Sequence, residues 1–307
     1  MTAATTTTVL GLSAAFIWGA ADFSGGIGAR YVRVYWLLAI SHASSLIALV
    51  LLANQLHQPL PDTRILAYGF VAGLAGGTAL LVFYYALSLG SMGTTAAITG
   101  LLTAALPVGF SLTTIGAPSH RQLAGFVLAA GAIWLISSPP NSSAKTVEGQ
   151  RKKLVLAVIS GAGFGIFLIG LRQANSGGLL WPLAASRVGS LSLAITGGLI
   201  FCRGRYTAER EPHVLLPSQR ATSMRKFISQ RWMIGMALAL IAGAFDTGGN
   251  FLFVAATRIG RLDVAAVLCS LYPASTILLA AWLLKERTSR RQAVGMAAAL
   301  VAVTLIS

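Results

Sequence analysis

The sequence predicts an all-α integral membrane protein with ten transmembrane helices, arranged as two inverted five-helix repeats. Of its 307 residues, 55% are hydrophobic and 10% are charged, and the mean hydropathy is +0.75. A soluble domain carries about 25% charged residues, so this composition indicates that lipid is the solvent of the chain. The apolar runs are about 20 residues long, which is the length of a helix that crosses a hydrocarbon core of roughly 30 Å. The third observation is an internal repeat.

The repeat aligns residues 86–137 with residues 256–307 without a gap, at a constant offset of 170 (256 minus 86). Identical pairs include Ser119/Ser289, Gln122/Gln292 and Gly125/Gly295. Farther upstream, Trp36-x-Leu38-Ala39-x-Ser41 recurs as Trp181-x-Leu183-Ala184-x-Ser186, at an offset of 145 (181 minus 36). Many secondary transporters consist of two copies of one unit, with the substrate site between the copies near the bilayer midplane.

Each apolar run predicts one membrane-spanning helix. The predicted spans are 8–29, 33–53, 64–87, 92–115, 120–138, 153–173, 181–202, 232–256, 262–283 and 290–306. The first repeat is therefore 1–138, the polar linker is 139–152, and the second repeat is 153–307. Since five spans per copy is an odd number, the second copy must enter the membrane from the opposite side, which makes the repeat inverted.

A second polar connection, residues 203–231, is a basic loop between the seventh and eighth spans. Its last part, residues 221–232, is compatible with two structures. One is a short interfacial helix with Met224, Phe227 and Ile228 facing lipid; the other is a linker without regular structure.

The net charge of +15 raises the question of a nucleic-acid partner. The basic residues lie in short loops between apolar runs and not in an aromatic-basic surface motif, so we expect anionic lipid and no nucleic acid. Cys202 and Cys269 lie in apolar runs, without the spacing of a metal site or a disulfide framework. No catalytic motif or phosphate-binding loop is present. We therefore expect no enzymatic activity, no cofactor and no metal.

Small residues recur at four-residue spacing within several spans. Gly69, Gly73 and Gly77 do so in the third span, and Gly161 and Gly165 do so in the sixth. Such residues let helix backbones approach closely. They indicate packing within one bundle or, as the alternative, a homodimer face, so the chain is expected to be a monomer or a homodimer.

The first and last spans carry a family pattern. Residues 12–19 (LSAAFIWG) resemble the first-helix Trp-Gly signature of the drug/metabolite transporter superfamily, in its ten-helix EamA-type branch. Residues 253–305 are similar to the closing unit of that family, although Lys285-Glu286 replaces its usual Gly-Glu. The resemblance implies a transporter of small organic molecules, commonly an exporter of metabolites or amino acids. It does not identify the solute.

Loop charge and the resemblance predict opposite orientations. If both termini are outside, the cytoplasmic loops hold about 17 Lys and Arg and the opposite loops about five, as the positive-inside rule requires. The resemblance implies that both termini are cytoplasmic. We give slightly more weight to the charge count, because it belongs to this chain. A reporter fused after Ser307 distinguishes the two orientations.

Ionisable residues within the spans are candidates for solute binding, because a charge near the bilayer centre costs roughly 2.5–3.5 kcal/mol or more. His42 and Arg187 are repeat equivalents (187 minus 42 is 145) and should face each other across the pseudo-two-fold axis. Arg187 could hold a substrate carboxylate, and His42 could respond to protons. The alternatives are a snorkelling or helix-capping arginine and a histidine used in packing.

Asp22 and Asp246 are the other two candidates, and neither has a charged equivalent in the other copy. Each could bind a cationic group or carry a proton, or could form an internal ion pair with Arg187. Asn250 lies one turn after Asp246, and the glycines between them predict a loosened helix. Trp18, one turn before Asp22, could stack on a cation or ring.

These residues predict a secondary transporter of small metabolites, namely an exporter of amino acids or related amphoteric compounds that works by alternating access. An arginine with two aspartates suits a zwitterion. The alternatives are a proton-coupled cation or drug antiporter and, ranked low, a membrane-embedded enzyme or lipid-handling protein that uses the 203–231 loop. The expected location is a bacterial inner membrane, with several passes.

Overall fold

The computed structural model of the chain describes residues 2–88, 92–137, 147–206, 218–283, 285 and 289–306, and within these ranges it contains helices and no strand. A 3-10 helix, Ala174–Gly177, lies between the sixth and seventh α-helices. The α-helices are α1 (Ala3–Gly28), α2 (Val34–Gln55), α3 (Thr63–Ser88), α4 (Met92–Thr114), α5 (His120–Ile136), α6 (Val147–Gln173), α7 (Leu180–Tyr206), α8 (Ser218–Ile259), α9 (Leu262–Cys269), α10 (Tyr272–Leu283) and α11 (Arg290–Ile306).

The all-α prediction is confirmed for these ranges, and six helical stretches are long and apolar enough to cross a membrane. They are 3–28, 34–55, 63–86, 151–177, 230–259 and 262–283. The shorter apolar helices 98–114 and 120–136 accompany them. The ten-span, two-repeat arrangement stays a prediction. Most of the 139–152 linker, residues 207–217 of the basic loop, Glu286 and Ser307 lie outside the described residues.

The predicted ninth span is interrupted. Residues 262–283 form two helices, α9 and α10, with Ser270 and Leu271 between them. The physical reason is Pro273, which has no amide N–H and whose ring blocks the preceding helical turn. The N–H of Leu271 bonds to the carbonyl of Leu268, three residues back, which closes α9 with a tight turn.

The eighth helix is longer and more regular than predicted. α8 runs unbroken for 42 residues, so residues 221–232 are neither a separate interfacial helix nor an irregular linker. The segment contains no proline and is rich in helix-forming residues, so polarity alone does not end it. The predicted loosening near Asn250 is also wrong, because the helix continues through Gly248 and Gly249.

The α5 and α11 helices begin with the same hydrogen-bonded cap. The N–H of Gln122 donates to Ser119 Oγ, and the N–H of Ser119 donates to Gln122 Oε1. Ser289 and Gln292 form the same two bonds. Such a capping box satisfies two otherwise unpaired donors at a helix start, which explains why these two pairs are identical in the repeat.

The same two helices pack antiparallel through equivalent glycines. Gly125, near the start of α5, faces Leu305 and Ile306 at the end of α11. Gly295, near the start of α11, faces Leu135 and Ile136 at the end of α5. Since the start of each helix meets the end of the other, the contact is reciprocal, and glycine permits the close approach.

A second pair of glycine contacts brings the central helices together. A Cβ on Gly73 of α3 would lie 1.9 Å from the carbonyl oxygen of Ser186 in α7. A Cβ on Gly243 of α8 would lie 2.5 Å from the carbonyl oxygen of Ser41 in α2. The two contacts are equivalent in the repeat, because 73 and 243 differ by 170 and 41 and 186 differ by 145. The glycines of the α3 stripe therefore contact another helix of the same chain.

We expect Gly73→Ala to destabilise the protein, because the new methyl group would overlap the Ser186 carbonyl and force α3 and α7 apart. The cost of such overpacking is about 1–3 kcal/mol, measured as a lowered melting temperature of the purified protein. Gly131→Ala in α5 is the matched control, because nothing lies within 4 Å of its Cβ position. Its melting temperature should hold or rise, since alanine favours a helix by up to about 1 kcal/mol. Equal melting temperatures for both variants would contradict the prediction.

Candidate functional site

All six predicted site residues lie around two small adjoining cavities that share Asp246. The arginine cavity, of about 20 Å³, has His42, Ser186, Arg187, Ser190 and Asp246 as its polar residues. The aspartate cavity, of about 50 Å³, contains Trp18, Asp22, Asp246, Asn250 and Tyr272. Both are also lined by Leu80, Phe164 and Phe167. The polar residues come from helices of both predicted repeats, since α1 packs on α8 and α10, and α2 packs on α7.

Arg187 forms an ion pair with Asp246. Its Nη1 lies 2.7 Å from Asp246 Oδ2, and its Nη2 donates to Thr247 Oγ1 at 3.3 Å. Arg187 is only 2% exposed, and its Nε has no hydrogen-bond partner within the described ranges. The internal ion pair that the sequence allowed is present, and the Nε–H is left over.

His42 contacts the same pair, as the repeat predicts. Its Nε2 lies 3.4 Å from Arg187 Nη1 and 3.9 Å from Asp246 Oδ2. Its Nδ1 lies 2.5 Å from Ser190 Oγ, which itself donates to the Ser186 carbonyl at 2.9 Å. Since that hydroxyl proton is used, Nδ1 is the donor and Nε2 accepts from Arg187. The network assigns His42 as the neutral Nδ1–H tautomer.

The aspartate cavity holds polar atoms without partners. Asn250 Nδ2 donates to Asp246 Oδ2 at 3.1 Å, whereas Asn250 Oδ1 and the Tyr272 hydroxyl have no hydrogen-bond partner within the described residues. Asp22 lines the same cavity as Asp246 and Tyr272. No hydrogen bond or ion pair engages its carboxylate in the part of the chain that the structure describes. The Asn250 oxygen, the Tyr272 hydroxyl and two carboxylates are therefore the groups around this cavity that can accept further hydrogen bonds.

Trp18 forms one side of the aspartate cavity and is held by α8. Its ring centroid lies 5.9 Å from that of Phe253. Gly249 makes room for it, because a Cβ there would lie 2.4 Å from Trp18 Cδ1. The glycine that suggested a loosened helix therefore serves as a contact surface for the indole.

Several lining residues were not predicted from the sequence. They are Ser190, Phe164, Phe167 and Tyr272. Because these residues lie in apolar runs and carry no formal charge, intramembrane charge does not identify them. The repeat contained a signal for one of them. Phe167 is the equivalent of Asp22 (167 minus 22 is 145), and its ring packs 2.8 Å from the Cβ position of Gly76, the equivalent of Asp246.

That equivalence makes the site chemically asymmetric. Asp22 and Asp246 lie in different predicted repeats, and their equivalents in the other copy are Phe167 and Gly76. The two carboxylates and the Phe167 ring line the same cavity.

Comparison with known proteins supports the fold and the family resemblance. The model of the EamA-like transporter family matches residues 214–307, and thus confirms the resemblance over the second repeat's closing part. A crystal structure of a protein superposes with a TM-score of 0.70 at 15% sequence identity, covering 99% of this chain and 96% of that one. At that identity the superposition supports the fold alone. No curated protein matches the chain.

Proposed function

We propose that this chain, whose residues 214–307 carry the pattern of the EamA-like transporter family, is a secondary transporter that exports small amphoteric metabolites, amino acids first among them. It works in a bacterial inner membrane as a multi-pass protein. The observation that carries the proposal is the convergence of Asp22, Asp246 and Arg187 on two adjoining cavities. A zwitterion needs partners of both signs, and this site provides them.

The ion pair must open for a zwitterion to use both charges. In that event the solute ammonium binds Asp246 from the aspartate cavity, and the solute carboxylate accepts from the freed guanidinium. The cavities measure about 20 and 50 Å³, which is room for only a few water molecules. Loading an amino acid therefore requires the helices around the site to separate, and alternating access supplies such a motion.

The proposal includes two inverted five-helix repeats. The antiparallel contact of α5 with α11 supports it, because repeat-equivalent helices run in opposite directions when a repeat is inverted. The equivalent Gly73–Ser186 and Gly243–Ser41 contacts support it as well. Rocking of one repeat against the other would then open the cavities to alternate sides.

The test is a flux assay with the full chain in liposomes, using a panel of radiolabelled amino acids and a panel of cationic dyes. Saturable flux of one or more amino acids above that of empty liposomes, competed by the same unlabelled compound, is the expected result. Flux of dyes without any amino acid would contradict the amphoteric substrate and favour the second candidate below.

The second candidate is a proton-coupled cation antiporter, and the state of Asp22 favours it. Arg187 is already paired with Asp246, so Asp22 is the acidic residue of the aspartate cavity that has no cationic partner within the described residues. A single carboxylate that binds either a proton or a cation couples their movements, because the two compete for one group.

For this candidate we expect Asp22→Asn to abolish dye flux driven by an imposed pH gradient, with the melting temperature unchanged because no partner is lost. Asp62→Asn is the control: it removes an exposed carboxylate outside the cavities and should transport normally. Full pH-driven flux in Asp22→Asn would contradict the antiporter.

A further inference from the structure

We infer that the aspartate cavity is a recognition site for a primary ammonium group on a solute that also carries an apolar group. This inference rests on the proposed function and narrows its substrate class. It applies to apolar amino acids and to apolar primary amines alike, because neither the ammonium site nor the apolar side involves Arg187.

The hydrogen bond between Asn250 and Asp246 determines which atom of the Asn250 amide remains free to accept a hydrogen bond. A carboxylate only accepts, so the Asn250 group that faces Asp246 Oδ2 at 3.1 Å must be the amide NH₂. The Asn250 oxygen therefore points elsewhere, and it is buried without a donor in a residue of 0% exposure. The amide cannot flip to relieve this without placing its oxygen against the carboxylate.

Two further groups lie around the same cavity. Tyr272, at the start of α10, is 7% exposed and its hydroxyl has no partner, and Asp22 is half-buried beside it. A buried polar atom without a partner is costly, so a ligand that supplies donors gains more here than at a group already satisfied. A primary ammonium has three N–H donors and can therefore bond at once to the Asn250 oxygen, the Tyr272 hydroxyl and a carboxylate.

The apolar residues of the cavity select for an apolar body. Phe164, Phe167 and Leu168 of α6 and Leu80 of α3 line the cavity together with the acceptors. Trp18 attracts any cation over its ring and does not distinguish one ammonium from another. Discrimination therefore comes from the number of N–H donors. A quaternary ammonium has the same charge but no N–H, and would leave Asn250 Oδ1 and the Tyr272 hydroxyl unpaired.

The experiment is a calorimetric titration of the full chain, purified in detergent, with two probes that share one skeleton. The probes are 2-phenylethylamine and its N,N,N-trimethyl derivative, neither of which has a carboxylate. We expect the primary amine to bind at least roughly tenfold more tightly, because sites built around hydrogen-bonding groups reject analogues that lack them. Equal affinities, or no binding of the primary amine, would overturn the inference.

The Tyr272→Phe variant tests whether the Tyr272 hydroxyl contributes to ammonium binding without contributing to the stability of the fold. It removes a hydroxyl that has no partner, so the melting temperature should hold or rise while the preference for the primary amine shrinks. Ser111→Ala is the matched control, because Ser111 also has a buried hydroxyl without a partner and does not line either cavity. Its preference should equal that of the parent protein. An unchanged preference in Tyr272→Phe would count against the inference.

These titrations measure binding and not transport, so they can contradict the ammonium site without contradicting the transporter function, and the flux assay can do the reverse. Loss of flux with intact amine preference would contradict the transporter and leave the ammonium site standing. Amino-acid flux without any amine preference would contradict the ammonium site alone.

Discussion

Replacing Asp246 with asparagine is expected to abolish transport and to lower stability. Asp246 is the polar residue that lines both cavities, and the variant leaves the 2%-exposed guanidinium of Arg187 without a counter-charge. Removing one partner of a buried ion pair costs about 3–5 kcal/mol. The Asp246 side chain is 26% exposed, so we expect the lower end of that range. Liposome flux and the melting temperature measure the two effects.

A double variant separates the structural role of the pair from its role in transport. In Asp246→Asn with Arg187→Gln, both charges are absent and the two amides can still bond to each other. Stability should therefore recover most of the loss seen in the single variant, whereas flux should stay at the level of empty liposomes. If the double variant transports normally, the charged pair has no part in the mechanism.

Arg187→Lys is expected to weaken amino-acid transport much more than transport of the corresponding esters. Lysine keeps the charge beside Asp246 but lacks the planar fork and the Nε–H that has no partner in the structure. A lost charged hydrogen bond is worth about 1.5–3 kcal/mol, so apparent affinity for the amino acid should fall roughly tenfold or more. Competition curves for one amino acid and its methyl ester provide the comparison.

The ester is the internal control of that experiment, because it has the ammonium and side chain but no carboxylate charge. Equal loss for acid and ester, together with a lower melting temperature, would assign Arg187 to ion pairing alone. The amphoteric-substrate proposal would then be contradicted.

The helices were predictable because membrane insertion imposes a length that the sequence must satisfy. The predicted second span, 33–53, differs from α2 (Val34–Gln55) by at most two residues at either end. The break before Tyr272 was also signalled, by Pro273, but the apolar run continues across it and hides the interruption. The N-terminal extension of α8 could not be predicted from hydropathy, because a polar segment outside the membrane can be helical as easily as irregular.

Parts of the site were predictable for a different reason. His42 and Arg187 occupy equivalent positions, so their 3.4 Å contact follows from the repeat. The partner of Arg187 did not follow, because Asp22 and Asp246 were equally suitable by charge and only their three-dimensional positions decide. Tyr272 was not found at all, since its repeat equivalent is Leu102 and a tyrosine in an apolar run carries no charge.

The contacts of Asp246 have a thermodynamic consequence. The bonds from Arg187 and Asn250 and the approach of His42 all involve Oδ2, and none of them involves Oδ1. A cation arriving at Oδ1 would share the carboxylate with Arg187, and each would weaken the hold of the other. By linkage, Arg187 weakens the binding of the cation by a certain free energy, and the cation weakens the Arg187–Asp246 ion pair by the same free energy. Occupation of one cavity is thus communicated to the other through a single side chain.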